Sequence, residues 1–418
     1  MIKRKLYSEL VEHLEHKEMS IIVGPRQAGK TTLMELLQTH LEKNGEQTLF
    51  LNLDIEWDRP HFESQAALLR KIELELGQRR GYVFIDEIQR KENAGLFLKG
   101  LFDLHLPYKF ILSGSGSLEL KQKIDESMVG RKRLFDLPTV TFEEFVNYRT
   151  DYRYEEKLVD FLEIEQDKAA QLLREYMQFG GYPRVITATK QREKLQLIDE
   201  IYHSVLEKDV AYLLKLDKPE IFSALIRILA GQVGQLMNYS ELSATLNVSF
   251  QTVKKYLWYA HKIFLLELMT PYARNVRKEI RKSPVPYFND LGFRNHALGL
   301  FGHDQSPTEN GFVFENLVFL VLKDKLRLKA TKLHFWRTTD KAEVDFVIEA
   351  GNSITPLEVK YKSLNRPNVP ASLRSFTQKY RPENAYIINL SLKETVQIGD
   401  TKITFLPFHE LFNKKIAL

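Results

Sequence analysis

The sequence contains no cysteine among its 418 residues. Disulfide bonds and thiolate metal sites are therefore excluded, and a reducing, cytoplasmic location is the natural expectation. No stretch reaches the roughly 18 consecutive apolar residues that a membrane-spanning helix needs, and the N-terminal MIKRKLYSEL lacks the apolar core of a signal peptide. Low-complexity tracts and internal repeats are absent as well. These absences predict a soluble protein with no membrane partner.

The sequence also lacks a large excess of either charge sign: its net charge is only +5. The apolar fraction of 44% supports globular folding, and the length predicts two to four compact units. Positive charge is nevertheless concentrated in residues 271–283, PYARNVRKEIRKS, which hold five Arg or Lys against one Glu. A local basic strip of this kind indicates nucleic-acid binding better than the total charge does.

A phosphate-binding loop is predicted near the N-terminus, where GPRQAGKT fits the pattern G-x-x-x-x-G-K-[ST] between an apolar strand and a helix. The two glycines allow the backbone N–H groups to point at phosphate oxygens, and the helix N-terminus adds its positive dipole end. Lys30 is expected to contact the β- and γ-phosphates, and the Thr31 hydroxyl to bind Mg²⁺. The predicted nucleotide-binding residues of this loop are Gly24, Pro25, Arg26, Gln27, Ala28, Gly29, Lys30, Thr31 and Thr32.

A second apolar run, GYVFIDEI in residues 81–88, predicts a buried parallel strand with acidic residues at its end. Asp86 is expected to hold the hydrated Mg²⁺, and Glu87 to orient or activate the attacking water. After a later strand, Ser113 or Ser115 is a candidate γ-phosphate sensor, although serines at this position also simply form loops.

Two arginines, Arg131 and Arg133 in VGRKRLF, are candidate arginine fingers that would act on the nucleotide of a neighbouring subunit. Ordinary solvation at the surface is the alternative for both residues.

These motifs, with TFEEF at 141–145 and YMQFGGYPRVI at 176–186, resemble a family of bacterial and archaeal ATPases of the AAA superfamily that carry an extra C-terminal domain. The resemblance implies an α/β P-loop ATPase core in residues 1–150 and a helical lid in residues 151–218. It also implies ATP rather than GTP and a homo-oligomeric ring, with a hexamer as the expected form.

A winged-helix unit is predicted for residues 219–300. We expect a helix from Pro219 to Gly231, a short helix capped by Ser240, a turn at 247–249 and a third helix that begins at Phe250. In the DNA-binding interpretation the last helix enters the major groove and the basic strip contacts the backbone. Protein docking or lid movement is the alternative. The predicted DNA contacts are Gln251, Thr252, Lys254, Lys255, Arg274, Arg277, Lys278, Arg281 and Lys282.

The C-terminal unit, residues 306–418, is predicted to be a mixed α/β sheet flanked by helices. A hairpin turn at Gly351 and Asn352 would place Asp345 opposite Glu358. Two opposed carboxylates repel each other unless a cation lies between them, which favours a Mg²⁺ or Mn²⁺ site. Lys360 is expected either to hold the attacking water or to stabilise charge on a phosphate, and Glu315 to complete the metal shell. The residues predicted to form the core face of the hairpin are Val344, Phe346, Ile348, Leu357 and Val359.

This order of a helical Glu, an Asp and a Glu-x-Lys resembles the restriction-endonuclease-like superfamily, which includes archaeal Holliday-junction resolvases. The resemblance implies a metal-dependent nuclease domain. The alternative is a solvated hairpin with a Glu343–Lys360 ion pair, in a domain that serves only for docking.

Two functional hypotheses follow. In the first, Mg-ATP turnover is coupled to the binding or processing of DNA, including branched DNA. In the second, the nucleotide state of a regulatory switch controls docking of a protein partner, and the nuclease-like domain is inactive.

Overall fold

The computed structural model describes residues 1–115, 128–206, 219–273, 283–303, 305–327 and 329–416. The N-terminal unit contains a five-stranded parallel sheet in the order β2-β3-β4-β1-β5. Its strands are β1 (Met19–Gly24), β2 (Thr48–Asn52), β3 (Gly81–Asp86), β4 (Tyr108–Ser115) and β5 (Lys132–Asp136).

Both faces of this sheet are covered, which explains why β1 and β3 are buried along their whole length. Two hydrophobic clusters flank it, one around Leu68 and Leu98 and the other around Leu37 and Leu10. Because all five strands run in the same direction, their carboxyl ends meet at one edge. The helices of this unit are Leu6–Glu12, Lys30–Lys43, Gln65–Leu76 and Ala94–Asp103.

A helical region follows the sheet. It begins with a capping box, in which Thr141 accepts from the backbone N–H of Glu144 while the Glu144 side chain accepts from the backbone N–H of Thr141. The helices of this region are Phe142–Arg149, Leu158–Ile164, Gln166–Phe179, Pro183–Thr187 and Gln191–Ser204.

The middle region contains the helices Pro219–Ala230, Tyr239–Leu246 and Phe250–Lys262 and an antiparallel pair of strands, β6 (Leu266–Met269) and β7 (Val285–Phe288). The third helix begins at Phe250 as predicted and is capped by Ser249, and Asn247 adopts a left-handed conformation at the end of the second. The prediction of Ser240 as a cap is wrong. Asn238 occupies that position, because its side chain accepts from the backbone N–H groups of Ser240 and Glu241.

The C-terminal unit is a six-stranded mixed sheet in the order β12-β13-β11-β10-β9-β8. The helix Leu291–Ala297 leads into it, and the long helix Pro307–Leu326 and the helix Ala371–Tyr380 belong to it. Its strands are β8 (Lys332–Arg337), β9 (Glu343–Ala350), β10 (Ser353–Val359), β11 (Asn384–Asn389), β12 (Glu394–Ile398) and β13 (Thr401–Pro407).

The β9–β10 hairpin has the predicted register, in which Ser353 pairs with Ala350 and Leu357 pairs with Phe346. The β8–β9 pairing, however, shifts by one residue, because His334 pairs with Val347 whereas Trp336 pairs with Val344. This bulge breaks the alternation of side chains along β9. Val344 consequently packs with the cluster around Leu373, whereas Phe346, Ile348, Leu357 and Val359 pack with the opposite cluster. The prediction that all five share one face is wrong for Val344.

One hydrophobic cluster runs through the helical region, the middle region and one face of the C-terminal sheet, and includes Tyr176, Leu257 and Phe346. The three regions therefore share a core. No helix within the described ranges is long and apolar enough to span a membrane.

Three glycines join the helical region to the neighbouring segments at close range. A Cβ atom on Gly181 would lie 2.3 Å from the Val140 carbonyl oxygen, and one on Gly292 would lie 2.2 Å from the Phe179 carbonyl oxygen. A Cβ atom on Gly180 would lie 2.3 Å from the backbone nitrogen of Gly292. These backbone segments can lie so close together only because the three glycines have no side chains.

We expect Gly181→Ala to lower the free energy of unfolding by about 1–3 kcal/mol, because the new methyl group would overlap a rigid backbone carbonyl. Gly311→Ala is the matched control. Gly311 lies in the helix Pro307–Leu326, where an added Cβ would meet no heavy atom within 4 Å, so alanine should stabilise that helix by about 0.5–1 kcal/mol. Urea denaturation would measure both, and equal stability of the two variants would contradict the expectation.

Candidate functional site

The predicted phosphate-binding loop, residues 24–31, lies at the carboxyl edge of the N-terminal sheet. Gln27 and Gly29 have positive φ angles of 59° and 95°, which curl the loop before the helix that begins at Lys30. The ammonium of Lys30 is buried and donates to the carbonyl oxygens of Gly24, at 3.1 Å, and Pro25, at 2.9 Å. A Cβ atom on Gly24 would lie 2.1 Å from the Leu137 carbonyl oxygen, so this position accommodates only glycine. The loop is therefore curled at Gln27 and Gly29, with the Lys30 ammonium held against its carbonyl oxygens.

The acidic end of β3 lies beside this loop. The Thr31 hydroxyl donates to Asp86 Oδ2 at 2.7 Å, and the Ser113 hydroxyl donates to Asp86 Oδ1. Asn52 Nδ2 also approaches Asp86 Oδ2, at 3.4 Å, from the end of β2. The structure therefore brings together Thr31, Asp86 and Ser113, and it adds Asn52. The sequence contains a signal for Asn52, because a polar residue ends the strand that neighbours β3.

Glu87 follows Asp86 in a left-handed conformation, with φ at 57°, and donates its backbone N–H to Asp86 Oδ1. Its side chain accepts from Gln89 Nε2. Burial raises the pKa of Glu87; the Lys30 charge opposes this effect, and the Asp86 charge adds to it. A carboxylate with a raised pKa at a strained position is suited to proton transfer from a water molecule.

Two arginines that motif analysis missed contact the same loop. Arg4, which is buried, donates from Nη1 to the Ala28 carbonyl oxygen at 2.8 Å and from Nε to Glu144 Oε2 at 3.1 Å. Arg184 donates from Nη1 to Gln27 Oε1 at 3.2 Å from the helical region. These contacts join residues that are 24 and 157 positions apart, which no local motif could reveal.

The candidate arginine fingers lie at the opposite edge of the sheet. Lys132, between them, pairs with Met19 at the start of β1, about four residues or 13 Å from the carboxyl edge. Arg131 forms an ion pair with Asp103 at 2.7 Å, and the guanidinium of Arg133 lies 5.4 Å from the Phe135 ring centroid. A finger role for either would require the nucleotide of another subunit.

The predicted DNA-contact residues of the third middle helix are near its N-terminus. Gln251, Lys254 and Lys255 are exposed, whereas Thr252 is half-buried and its hydroxyl lies 2.8 Å from the Ser249 hydroxyl. The predicted contacts of the basic strip, Arg274, Arg277, Lys278, Arg281 and Lys282, lie outside the described residues.

The C-terminal acidic residues gather where β9, β10 and the long helix meet. Asp345 Oδ2 accepts from the backbone N–H of Val359 at 2.6 Å, and the Lys360 ammonium donates to Glu358 Oε1 at 2.7 Å. Glu315 Oε1 accepts from the Tyr287 hydroxyl at 2.6 Å. The alternative Glu343–Lys360 pair is not formed, because Glu343 pairs with Arg337 at 3.0 Å.

These carboxyl groups raise each other's pKa. Burial raises the pKa of Asp345 well above its ordinary value, and the charges of Glu358 and Glu315 add to this effect. Burial, together with Glu343 and Glu358, raises the pKa of Glu315 to about 8 despite the hydrogen bond from Tyr287. The pKa of Glu358 is also raised by burial, against the influence of Lys360.

The donor set of this cluster has the chemistry of a Mg²⁺ or Mn²⁺ site. Glu358 Oε2 is buried without a hydrogen-bond partner in the described structure. In the described ranges, however, no three His, Asp or Glu side chains are arranged as metal ligands. Asp345, Glu358 and Glu315 each direct an oxygen to a protein donor.

Three family models match consecutive parts of the chain. Residues 16–146 match an AAA domain, residues 170–304 match a domain of unknown function, DUF8612, and residues 310–411 match a second domain of unknown function, DUF4143. The match to the AAA domain supports an AAA-type ATPase core in the N-terminal unit.

Similar proteins occur in bacteria and archaea. An uncharacterized protein of Mycobacterium tuberculosis is 28% identical over 89% of this chain and 76% of its own length. One from Haemophilus influenzae is 25% identical over 87% of both chains. One from Methanocaldococcus jannaschii is 24% identical over 93% of this chain and 84% of its own.

Two solved structures show a distant likeness. The Aeropyrum pernix ORC1 protein in complex with DNA has a TM-score of 0.30 at 12% identity, over 70% of this chain and 91% of that chain. AMPPCP-bound DnaA from Aquifex aeolicus has a TM-score of 0.27 at 15% identity, over 63% and 90%.

We expect Arg4→Gln to destabilise the protein by about 3–5 kcal/mol and to weaken binding of an ATP analogue, because the buried Glu144 carboxylate would lose its cationic partner and the loop would lose a support. Lys3→Gln is the control, since the Lys3–Glu155 pair at 2.9 Å is exposed and should contribute at most about 1 kcal/mol. Thermal melting and calorimetric titration measure both effects. Normal nucleotide affinity in a folded Arg4→Gln variant would contradict a supporting role.

We expect Glu315→Gln to raise the melting temperature more at alkaline than at acidic pH. The folded pKa of about 8 exceeds the ordinary value of 4.5, so the wild-type protein loses stability as the pH rises from 4.5 through 8. Glutamine does not ionise and can still accept from Tyr287. The melting temperature of Glu315→Gln should exceed that of the wild-type protein by almost nothing at about pH 5 and by about 2 °C or more at about pH 9.

Glu394→Gln, on the exposed strand β12, is the control and should leave melting unchanged at both pH values. An advantage of Glu315→Gln that does not change with pH would contradict the raised pKa.

Proposed function

We propose that this protein binds and hydrolyses ATP and couples that turnover to the binding of DNA. The observation that carries the proposal is the phosphate loop with the end of β3 beside it: Lys30, Thr31 and Asp86 lie at one sheet edge, with the Thr31 hydroxyl 2.7 Å from Asp86 Oδ2. The match of residues 16–146 to an AAA domain supports the same function.

In this proposal each residue at the edge has a separate task. Lys30 exchanges the carbonyl oxygens of Gly24 and Pro25 for phosphate oxygens. Thr31 and Asp86 would hold Mg²⁺, which would supply positive charge to neutralise the phosphates. Glu87 takes the proton of the attacking water, and Ser113 and Asn52 orient the carboxylate of Asp86. Arg184 is placed to sense the nucleotide from the helical region of the same chain.

The coupling to DNA rests on the middle region. Two helices joined by the short turn Asn247–Ser249, followed by the β6–β7 pair, are consistent with a winged helix. The exposed Lys254 and Lys255 lie at the part of the helix that enters a groove in such proteins. We propose that subunits associate as a ring, with Arg131 or Arg133 completing the site of a neighbour.

We further propose that the C-terminal cluster binds Mg²⁺ or Mn²⁺ and cleaves DNA, with branched DNA among its substrates. Asp345 and Glu358 would hold the metal through oxygens that include the unpartnered Glu358 Oε2, and Lys360 would stabilise charge on the scissile phosphate. Glu315 would join only after leaving Tyr287.

Glu87→Gln should retain ATP affinity within about 3-fold and lose at least about 100-fold in kcat, because the base is removed while the loop is unchanged. Lys30→Ala should lose binding itself. Glu92→Gln, an exposed position close to Glu87, is the control. Calorimetry and phosphate release separate the two effects. Normal ATP turnover by Lys30→Ala would refute the ATPase proposal.

The remaining proposals can be tested with binding and cleavage assays in Mg²⁺ or Mn²⁺ over a range of salt concentrations. The substrates are duplex, single-stranded and four-way-junction DNA. Salt-sensitive binding supports DNA coupling. Cleavage that Asp345→Ala abolishes supports the nuclease. Stabilisation of the wild-type protein but not of Asp345→Ala by MnCl₂ would show metal binding without reliance on cleavage. Absence of DNA binding would favour the protein-docking switch instead.

A further inference from the structure

The helix Phe250–Lys262 carries an aromatic and a lysine side chain in alternation along one face. Phe250, Lys254, Trp258 and Lys262 are spaced four residues apart, so they form a single line that we call the aromatic–lysine stripe. The stripe is about 18 Å long, and its two rings are about 12 Å apart along the helix axis. Neighbouring members touch: the Lys254 ammonium lies 4.7 Å from the Phe250 ring centroid, and the Lys262 ammonium lies 5.7 Å from that of Trp258.

Packing does not account for this face. The helix buries Val253, Tyr256, Leu257 and Ala260 on its other side, where they belong to the shared core. Phe250 and Trp258 remain 41% and 36% exposed, respectively. Large aromatic rings outside the core leave apolar surface in water at a cost in free energy, which is offset if a partner covers them.

The charge of the helix restricts the partner. Its thirteen residues, FQTVKKYLWYAHK, include no Asp or Glu. Across the described ranges, neither Lys254, Lys255 nor Lys262 forms an ion pair with a carboxylate. A polyanion with apolar surfaces fits this combination, because it would contact the ammonium groups and cover the rings.

We infer that the aromatic–lysine stripe binds single-stranded nucleic acid, with unpaired bases stacked on Phe250 and Trp258 and with phosphates bound by the lysines. This inference rests on the proposed DNA binding and specifies its substrate. In a duplex, base faces are already stacked, and a groove-binding helix needs donors and acceptors for base edges. Phenylalanine has neither, and tryptophan has one N–H donor. Exposed ring faces with interleaved cations are instead the features of single-strand binding surfaces.

A third ring extends the surface beyond the helix. Tyr239, at the start of the preceding helix, is half-buried, and its ring centroid lies 5.4 Å from that of Phe250. Its ring is also 5.9 Å from the Lys254 ammonium. The stripe therefore begins at an aromatic pair next to Lys254, which gives one end of the strand a larger stacking surface.

The test measures fluorescence anisotropy of labelled oligo(dT) of about 20 nucleotides and of a mixed-sequence duplex of the same length. Trp258→Ala and Phe250→Ala should each weaken oligo(dT) binding by roughly 5- to 150-fold and leave duplex binding within about 2-fold. Trp258→Phe should restore most of the affinity. Lys254→Gln should lower the slope of log K against log salt by about 0.7 for the single strand.

Trp57→Phe is the control variant. It also allows the fluorescence of Trp258 to be followed directly. Trp57 is 85% exposed in the N-terminal unit and Trp336 is 2% exposed, so in this variant Trp258 supplies the accessible tryptophan emission. The variant should bind oligo(dT) normally, and binding should quench its fluorescence, which a purely structural role of Trp258 would not produce.

The assays distinguish failure of the single-strand inference from failure of the proposed DNA binding. Binding of duplex but not of oligo(dT) by the wild-type protein would overturn the single-strand inference and leave DNA coupling standing. Equal losses for duplex and oligo(dT) in Trp258→Ala would assign the stripe to groove binding instead. Unchanged oligo(dT) affinity in folded Trp258→Ala and Phe250→Ala would also overturn the inference.

Discussion

The phosphate loop can direct its N–H groups at an anion only if its carbonyl groups point away and find donors elsewhere. Arg4 is the donor for the Ala28 carbonyl oxygen, and its Nη2 also donates to Pro138 and Thr139 at 2.6 and 3.2 Å. Its partner Glu144 in turn accepts from the backbone of Lys5 and Thr141. One buried ion pair therefore fixes the N-terminus, the loop and the first helix beyond the sheet, and the other regions are attached to that helix.

The junction beyond that helix depends on a second buried carboxyl group. Asp290 accepts from the backbone N–H groups of Gly181, at 2.8 Å, and Phe293, at 2.9 Å. Burial raises its pKa to about 6, although these hydrogen bonds oppose the shift. Arg184, three residues after Gly181, contacts the phosphate loop. The glycine contacts around Asp290 connect the helical region to the end of the middle region, so the segment that contacts the loop through Arg184 is fixed three residues away.

Local patterns were sufficient where the chemistry is local. The spacing of Lys30 and Thr31 predicted the loop, and the Gly351–Asn352 turn predicted the register of the hairpin. The β9 bulge was not predictable, because it depends on how β8 pairs, and it put Val344 on the opposite face. Sequence patterns did not predict the roles of Arg4, Arg184 and Tyr287 for a related reason. Each contacts a residue distant in sequence, and an isolated Arg or Tyr does not indicate which residue it will contact in the fold.

The long helix Pro307–Leu326 connects the two sites physically. At its C-terminal end Asp324 pairs with Lys5 at 3.1 Å, and the following Arg327 pairs with Glu9, so this end is fixed to the N-terminal unit. Nine residues earlier, Glu315 is held by Tyr287 of the middle region. A helix is too stiff to absorb a displacement over this distance, since its backbone hydrogen bonds are continuous. The N-terminal unit and the C-terminal cluster are therefore joined through one helix, whose end contacts Lys5 and Glu9 and whose middle carries Glu315.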